Sequence, residues 1–126
     1  MENTELEHQW GSLHADFIDF LFISLNRKNI KYFILRNHEQ LPVSNSGKDV
    51  DIVIVPRSYS MVMESILDTM RHFGIHYYQI TQFDRMRCWY IMEHTKKFGI
   101  HIDIIENEIY KGFEFFSFNY LYKQVI

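Results

Sequence analysis

The chain has little of several residue types that would point to particular classes of protein. Its 126 residues include one cysteine, two prolines and five glycines. The single Cys88 excludes an internal disulfide and is typical of a reducing compartment. With so little proline and glycine, and no repeat or low-complexity tract, the sequence contains no linker. We therefore expect a single domain over residues 1–126, which is complete in itself or a fragment of a longer protein.

Long apolar runs and an excess of basic charge are also missing. The most apolar early stretch, Phe17 to Leu25, is interrupted by Asp19 and is too short to cross a bilayer. The polar, acidic start of the chain does not resemble a secretory signal. We therefore expect a cytoplasmic protein without a membrane span. The net charge of −3 argues against general nucleic-acid binding.

Apolar and aromatic residues, in contrast, are abundant. Hydrophobic residues make up 47% of the chain and aromatic residues 17%, which predicts a packed globule. Eleven Phe and eight Tyr are many for one small core. Some of them are expected to cover an interface, as in a homo-oligomer, or a neighbouring domain.

Hydrophobic periodicity predicts the order α–β–loop–β–α–β–β–β. A helix between two strands favours a parallel pair, and the closely spaced last strands favour antiparallel hairpins. The expected fold class is α+β, a mixed sheet with helices packed mainly on one face. The aromatic tail is either a last helix or irregular cover. The predicted helices span about residues 5–29 and 58–74, and the strands span 32–36, 49–55, 75–83, 88–95 and 99–106.

Two acidic residues interrupt the clearest strand, DVDIVIV. Alternation places Asp49 and Asp51 on one face and the apolar residues Val50 and Ile52 on the other. Their like charges repel, and burial disfavours both. A divalent cation removes that difficulty, and Mg²⁺ commonly binds one or two carboxylates together with substrate phosphates.

A third carboxylate interrupts a later strand in the same way. In GIHIDIIE the isoleucines share one face, which leaves His101 and Asp103 on the other. If this strand lies beside DVDIVIV, Asp103 completes a cluster that could hold two metal ions about 4 Å apart. The alternative is that Asp49 and Asp51 only begin a strand at the sheet rim and Asp103 is a surface residue.

The stretch YFILRNHEQLPVSNSGKDVDIVIV, with the later HIDIIE, resembles the nucleotidyltransferase superfamily, which has the polymerase-beta-like fold. In that superfamily a G-x-DhDhhh strand (h, apolar) supplies two metal ligands and a later hDh strand supplies the third. The matching residues are Gly47, Asp49, Asp51 and Asp103. The pattern LRN-x-E-x-LP followed by G-x-DhDhhhV is similar to uncharacterised nucleotidyltransferase-like proteins of bacterial polysaccharide gene clusters.

The chain departs from the superfamily after the first strand, where a Gly-Ser or Gly-Gly pair usually cradles the nucleotide phosphates. Leu35, Arg36 and Asn37 stand there instead. The guanidinium of Arg36 offers a bidentate contact to phosphate in place of backbone amides. The candidate phosphate-binding residues are Arg36, Asn37, Gly47 and Lys48.

The resemblance implies an enzyme that uses Mg²⁺ or Mn²⁺ held by Asp49, Asp51 and Asp103. A nucleoside monophosphate would pass from a nucleoside triphosphate to a hydroxyl acceptor that the sequence does not identify. Two alternatives stay open. One is an inactive nucleotidyltransferase-like binding module, and the other is the nucleotidyltransferase of a toxin–antitoxin pair, which would need a helical partner protein.

The remaining polar residues form no recognisable motif. The seven histidines match no zinc-binding spacing. Arg85 and Arg87 are expected in a solvated turn, although a basic rim near a substrate is the alternative. One of Trp89 and Tyr90 is expected in the core, and Cys88 is expected to be structural.

Overall fold

The structure is a computed structural model, and it describes residues 11–34, 49–84 and 86–106. The elements follow the predicted order along the chain. The phosphate-binding candidates Arg36, Asn37, Gly47 and Lys48 lie outside the described residues, as do Arg85 and the aromatic tail. The elements are α1 (Ser12–Arg27), β1 (Tyr32–Ile34), β2 (Asp49–Ile54), α2 (Tyr59–Phe73), β3 (Tyr77–Phe83), β4 (Met86–Glu93), a short 3₁₀ turn (His94–Lys96) and β5 (Phe98–Glu106).

The five strands form one mixed sheet in the order β1-β2-β5-β4-β3. Strands β2 and β5 are parallel, and every other neighbouring pair is antiparallel. The α+β class and the mixed sheet are therefore confirmed. The expected pairing across the crossover helix is wrong, because β3 runs in the direction of β2 but lies at the far edge. The physical reason is burial: all of β3 is exposed, whereas β5 has a continuous buried face suited to a central position.

Both described helices pack on one face of the sheet. In α1 the ring of Phe17 lies 5.2 Å from that of Phe98 in β5. In α2 the hydroxyl of Tyr59 accepts a 2.9 Å hydrogen bond from the indole Nε1 of Trp89 in β4. The core between them is formed by alternate residues of the central strands, among them Val50, Ile52, Ile54, Ile100, Ile102 and Ile104. The residues that alternate with them point to the opposite face, which we call the open face. It includes Asp49, Asp51, His101 and Asp103.

The helix ends follow local signals. Helix α2 begins after Ser58 and ends at Gly74, as predicted, and Gly74 adopts the left-handed conformation (φ 68°) that glycine tolerates best. Helix α1 begins at Ser12, and the earlier part of its predicted range lies outside the described residues. Neither helix, at 16 and 15 residues, is both long and apolar enough to span a bilayer.

A buried histidine connects the start of α1 to β5. The Nδ1 atom of His14 accepts a 3.1 Å hydrogen bond from the backbone N–H of Gly11, which is left without a helical partner. Its Nε2 lies 3.1 Å from the carbonyl oxygen of Gly99, which can only accept. The ring is therefore neutral with its hydrogen on Nε2, and it helps to position the strand that carries Asp103.

Truncating a buried side chain at the centre of the sheet should destabilise the protein far more than truncating an exposed apolar side chain. Ile102 is fully buried between its strand neighbours Val50 and Trp89. We expect Ile102→Ala to lower the free energy of unfolding by about 2–5 kcal/mol, since it leaves a cavity. Urea denaturation measures this. The matched control is Met61→Ala at an exposed position of α2, for which a loss as large as that of Ile102→Ala would contradict the assigned core.

Candidate functional site

The two aspartates of β2 lie on the open face but differ in exposure. Asp49 begins the strand and is exposed, whereas the side chain of Asp51 is buried, with 5% of its surface exposed. Strand β2 lies between β1 and β5, so Asp51 belongs to the interior of the sheet. The alternative of an exposed sheet rim therefore describes Asp49 but not Asp51.

The parallel register brings the third carboxylate beside the first two. Asp51 lies directly opposite Asp103, and Asp49 lies opposite His101. The strand with Asp103 thus lies beside DVDIVIV with its polar face turned the same way. Neighbouring strands are about 4.8 Å apart, which allows carboxylates of facing residues to share a proton or a cation.

The environment of Asp103 disfavours its charged form. The pKa of Asp103 is raised first by burial, then by a hydrogen bond with Asp51 and by the negative charges of Asp51 and Asp49. A hydrogen bond from the Cys88 thiol opposes part of this effect. The surroundings of Asp103 therefore favour a proton on its carboxylate or a cation beside it.

Cys88 lies beside Asp103, a position that its sequence context does not indicate. It lies opposite Asp103 in the β4–β5 hairpin, and its thiol donates to that carboxylate. The pKa of Cys88 is raised to about 11, first by burial, then by this hydrogen bond and the charges of Asp103 and Asp51. Counting residues away from the turn at His94–Lys96 along both strands pairs Cys88 with Asp103. The length of that turn, however, is not evident from the sequence.

The Cys88 thiol should react slowly with iodoacetamide. A thiol with a pKa of about 11 is ionised in roughly one molecule in a thousand at pH 8. We expect alkylation to be about two orders of magnitude slower than in the urea-unfolded chain, where an ordinary cysteine pKa applies. Mass spectrometry follows the rate. Asp103→Asn should accelerate it in the folded protein, and an unchanged rate would mean that steric cover alone protects the thiol.

His101 also touches an aspartate of the open face. Its Nδ1 lies 3.2 Å from Oδ1 of Asp49, and its ring meets the ring of Tyr90 edge-on at 4.5 Å. Both partners of the Asp49 contact are about half exposed. His101 can therefore orient the Asp49 carboxylate or contact a ligand from solvent.

A shallow groove adjoins the carboxylates on the open face. Its volume is about 320 Å³, and Asp103 and His101 form one wall. Tyr90 provides an aromatic surface, and the amide and hydroxyl side chains of Gln79 and Thr81 line the side toward β3. The groove thus offers a ring face and neutral hydrogen-bonding groups next to Asp103.

Arg87 does not belong to this site. It lies neither in a solvated turn nor in a basic rim beside a substrate, the two positions considered from the sequence. Its side chain lies on the helix face, where its Nη1 is 2.6 Å from Oε1 of Glu106. The guanidinium carbon lies 3.9 Å from the centre of the Tyr59 ring. Through these contacts Arg87 links β4 to β5 and α2.

Trp89 is buried and Tyr90 is exposed on the open face, which confirms that one of the two belongs to the core.

The donor set of the open face suits a hard cation. Asp49, Asp51 and Asp103 present carboxylate oxygens, the ligands that Mg²⁺ prefers. Within the described residues, no three His, Cys, Asp or Glu side chains are grouped closely enough to enclose an ion by themselves. Carboxylates two residues apart on one strand are separated by about 6.6 Å at their backbones. An ion here would complete its coordination with water or substrate oxygens, as Mg²⁺ usually does.

No protein-family model matches the chain. No curated protein and no solved structure matches it either. The residues of the open face and their pattern in the sequence are therefore the basis on which function is inferred.

Proposed function

We propose that this protein is a metal-dependent nucleotidyltransferase with a polymerase-beta-like fold. The observation that carries the proposal is the register of β2 and β5, which sets the buried Asp51 opposite Asp103 on the same face as Asp49. Carboxylates held side by side against their mutual repulsion need a counter-charge. The G-x-DhDhhh and hDh patterns in these two strands supply the second support.

Each carboxylate has a role in this proposal. Asp49 and Asp51 hold Mg²⁺ or Mn²⁺, and Asp103 shares a second ion. The ions supply charge stabilisation for the phosphates. Asp103 also accepts the proton of the acceptor hydroxyl, since it borders the groove in which that hydroxyl would lie. The acceptor oxygen bonds to the α-phosphorus, and the bond to the leaving pyrophosphate breaks.

The two substrates would contact different residues of the chain. We assign the triphosphate to the segment before β2, where Arg36, Asn37, Gly47 and Lys48 are the candidate phosphate contacts. We assign the acceptor to the groove beside Asp103, because the base must lie within hydrogen-bond reach of the hydroxyl it deprotonates. Nucleoside triphosphates are most abundant in the cytoplasm, which is the proposed location.

The first test is metal-dependent nucleotide binding, since it needs no knowledge of the acceptor. Calorimetric titration of the full chain with each common ribonucleoside triphosphate should show binding in Mg²⁺ that is lost when EDTA removes the metal. Release of pyrophosphate on adding a mixture of cellular small molecules would then show turnover. Absence of binding for every nucleotide with Mg²⁺ and Mn²⁺ would overturn the proposal.

A binding module without turnover is the second candidate. Two observations favour it: the glycine pair after the first strand is missing, and the described carboxylates do not enclose an ion by themselves. Its signature would be metal-dependent nucleotide binding without pyrophosphate release under any acceptor mixture. Co-purification of a helical protein with the chain would instead support the toxin–antitoxin alternative.

A further inference from the structure

Strand β3 forms an exposed edge of the described sheet. It pairs with β4 on one side, and no described strand pairs with it on the other. All seven of its residues are exposed, including large side chains such as Tyr77 (61%) and Phe83 (56%). An edge of this length, with apolar side chains and no described strand bonded to its outer backbone groups, is a template for pairing with another strand.

The edge lacks the features that normally prevent such pairing. The strand reads YYQITQF, without a charged residue, proline or glycine. Its residues favour extended structure, and no bulge interrupts its register with β4. The strand is therefore suited to accept a partner.

The order of residues in β3 is self-complementary about its midpoint, Ile80. If two copies run antiparallel around a two-fold axis at Ile80, Tyr77 faces Phe83 and Gln79 faces Thr81. Both pairs combine side chains of similar character, and Ile80 meets its own copy. Tyr78 faces Gln82, a pair in which the hydroxyl and the amide can form a hydrogen bond. The paired segment contains no charged side chain, so no like charges oppose the contact.

We propose that two copies of this chain form a homodimer through antiparallel pairing of their β3 strands about Ile80. The two sheets then join into one continuous sheet, which closes both exposed edges at once. This inference does not depend on the proposed nucleotidyltransferase activity, because it rests only on the edge strand.

The proposed pairing has a consequence for the groove beside Asp103. A two-fold axis perpendicular to the sheet keeps both helix layers on one face and both open faces on the other. The partner's Thr81 then lies next to Gln79 and extends the groove across the interface. The two Asp103 strands are five strand spacings apart, about 24 Å, so the two sites face the same side.

The first test is the oligomeric state of the full chain. Sedimentation equilibrium of the wild-type protein at roughly 100 μM, a concentration that saturates a specific dimer with a micromolar Kd, should give the dimer mass. Ile80→Lys places two ammonium groups on the axis and should give the monomer mass, with an unchanged circular dichroism spectrum. A monomeric wild-type protein at this concentration would overturn the proposal, whether β3 is covered by another segment or by a different protein.

The second test locates the axis without relying on a loss of association. Only a residue at the axis faces its own copy, so Ile80→Cys should form an interchain disulfide under mild oxidation. Gln82→Cys is the matched control: it lies on the same face of the same strand but faces Tyr78 of the partner subunit. The wild-type chain controls for Cys88. Equal crosslinking of the Ile80 and Gln82 variants, or none in either, would overturn the proposed register.

Discussion

Replacing Asp51 with Asn is expected to abolish metal-dependent pyrophosphate release. Asp51 is the most buried of the three carboxylates and is central to the group, opposite Asp103 and two residues from Asp49. The amide keeps the shape but removes the negative charge that holds a cation. Loss of several kcal/mol of transition-state stabilisation corresponds to a rate decrease on the order of 10²–10⁴-fold, since each 1.36 kcal/mol is tenfold. Steady-state release of pyrophosphate measures it.

The matched control is Asp16→Asn, the same chemical change at an exposed position of α1, away from the open face. It should leave the rate within about twofold of wild type, since surface substitutions of this kind have small effects. Both variants should keep the wild-type circular dichroism spectrum. Equal rates for Asp51→Asn and wild type would remove Asp51 from the catalytic group.

Replacing Asp103 with Asn is expected to change activity and stability in opposite directions. Loss of the base and a metal ligand should lower the rate by a factor on the order of 10² or more. Without metal, however, the amide should stabilise the fold, because it removes the repulsion from Asp51 and Asp49 that raises the pKa of Asp103. Asp103 is partly exposed, so solvent screens some of this repulsion. We therefore expect the metal-free variant to melt at a higher temperature than wild type.

The pH dependence gives this prediction a specific sign. A carboxyl group whose pKa is raised by folding favours the folded state while it is protonated, below its ordinary pKa, and that contribution is lost as pH rises through the raised pKa. The Tm advantage of Asp103→Asn should therefore appear above the raised pKa and disappear in acid. Thermal melts in EDTA across pH 3–8 measure it.

Saturating Mg²⁺ provides the complementary measurement. Binding to the folded state should raise the Tm of wild type, and it should raise that of Asp103→Asn less. A lower Tm for the metal-free variant at neutral pH would contradict the repulsion that we assign to the Asp51/Asp103 pair.

Local signals in the sequence were sufficient for most elements. Ser58 and Gly74 bound α2 because a helix begins and ends where the chain provides a cap and a left-handed residue. The change to a two-residue period after Gly74 correctly predicted three strands. Alternation also placed Asp49, Asp51 and Asp103 away from the apolar face, since a strand directs successive side chains to opposite sides.

Contacts between distant elements were not predictable in the same way. The sequence predicted a parallel pair across α2, whereas the parallel partner of β2 is β5, which comes three strands later in the chain. The position of Cys88 against Asp103 depends on the length of one turn, and the Arg87–Glu106 pair depends on which face Arg87 takes in β4. A shift of one residue in register reverses the face of every side chain in a strand.

By itself, the sequence determined which residues are acidic exceptions in apolar strands and on which side of their own strand they lie. Strand periodicity decides this locally, residue by residue. Only the tertiary structure decided that Asp51 is buried and faces Asp103, that Cys88 donates to that carboxylate and that β3 is left at an exposed edge. The reason is that strand order follows the burial of whole strands: β5 has a continuous apolar face and takes a central place, while β3 does not.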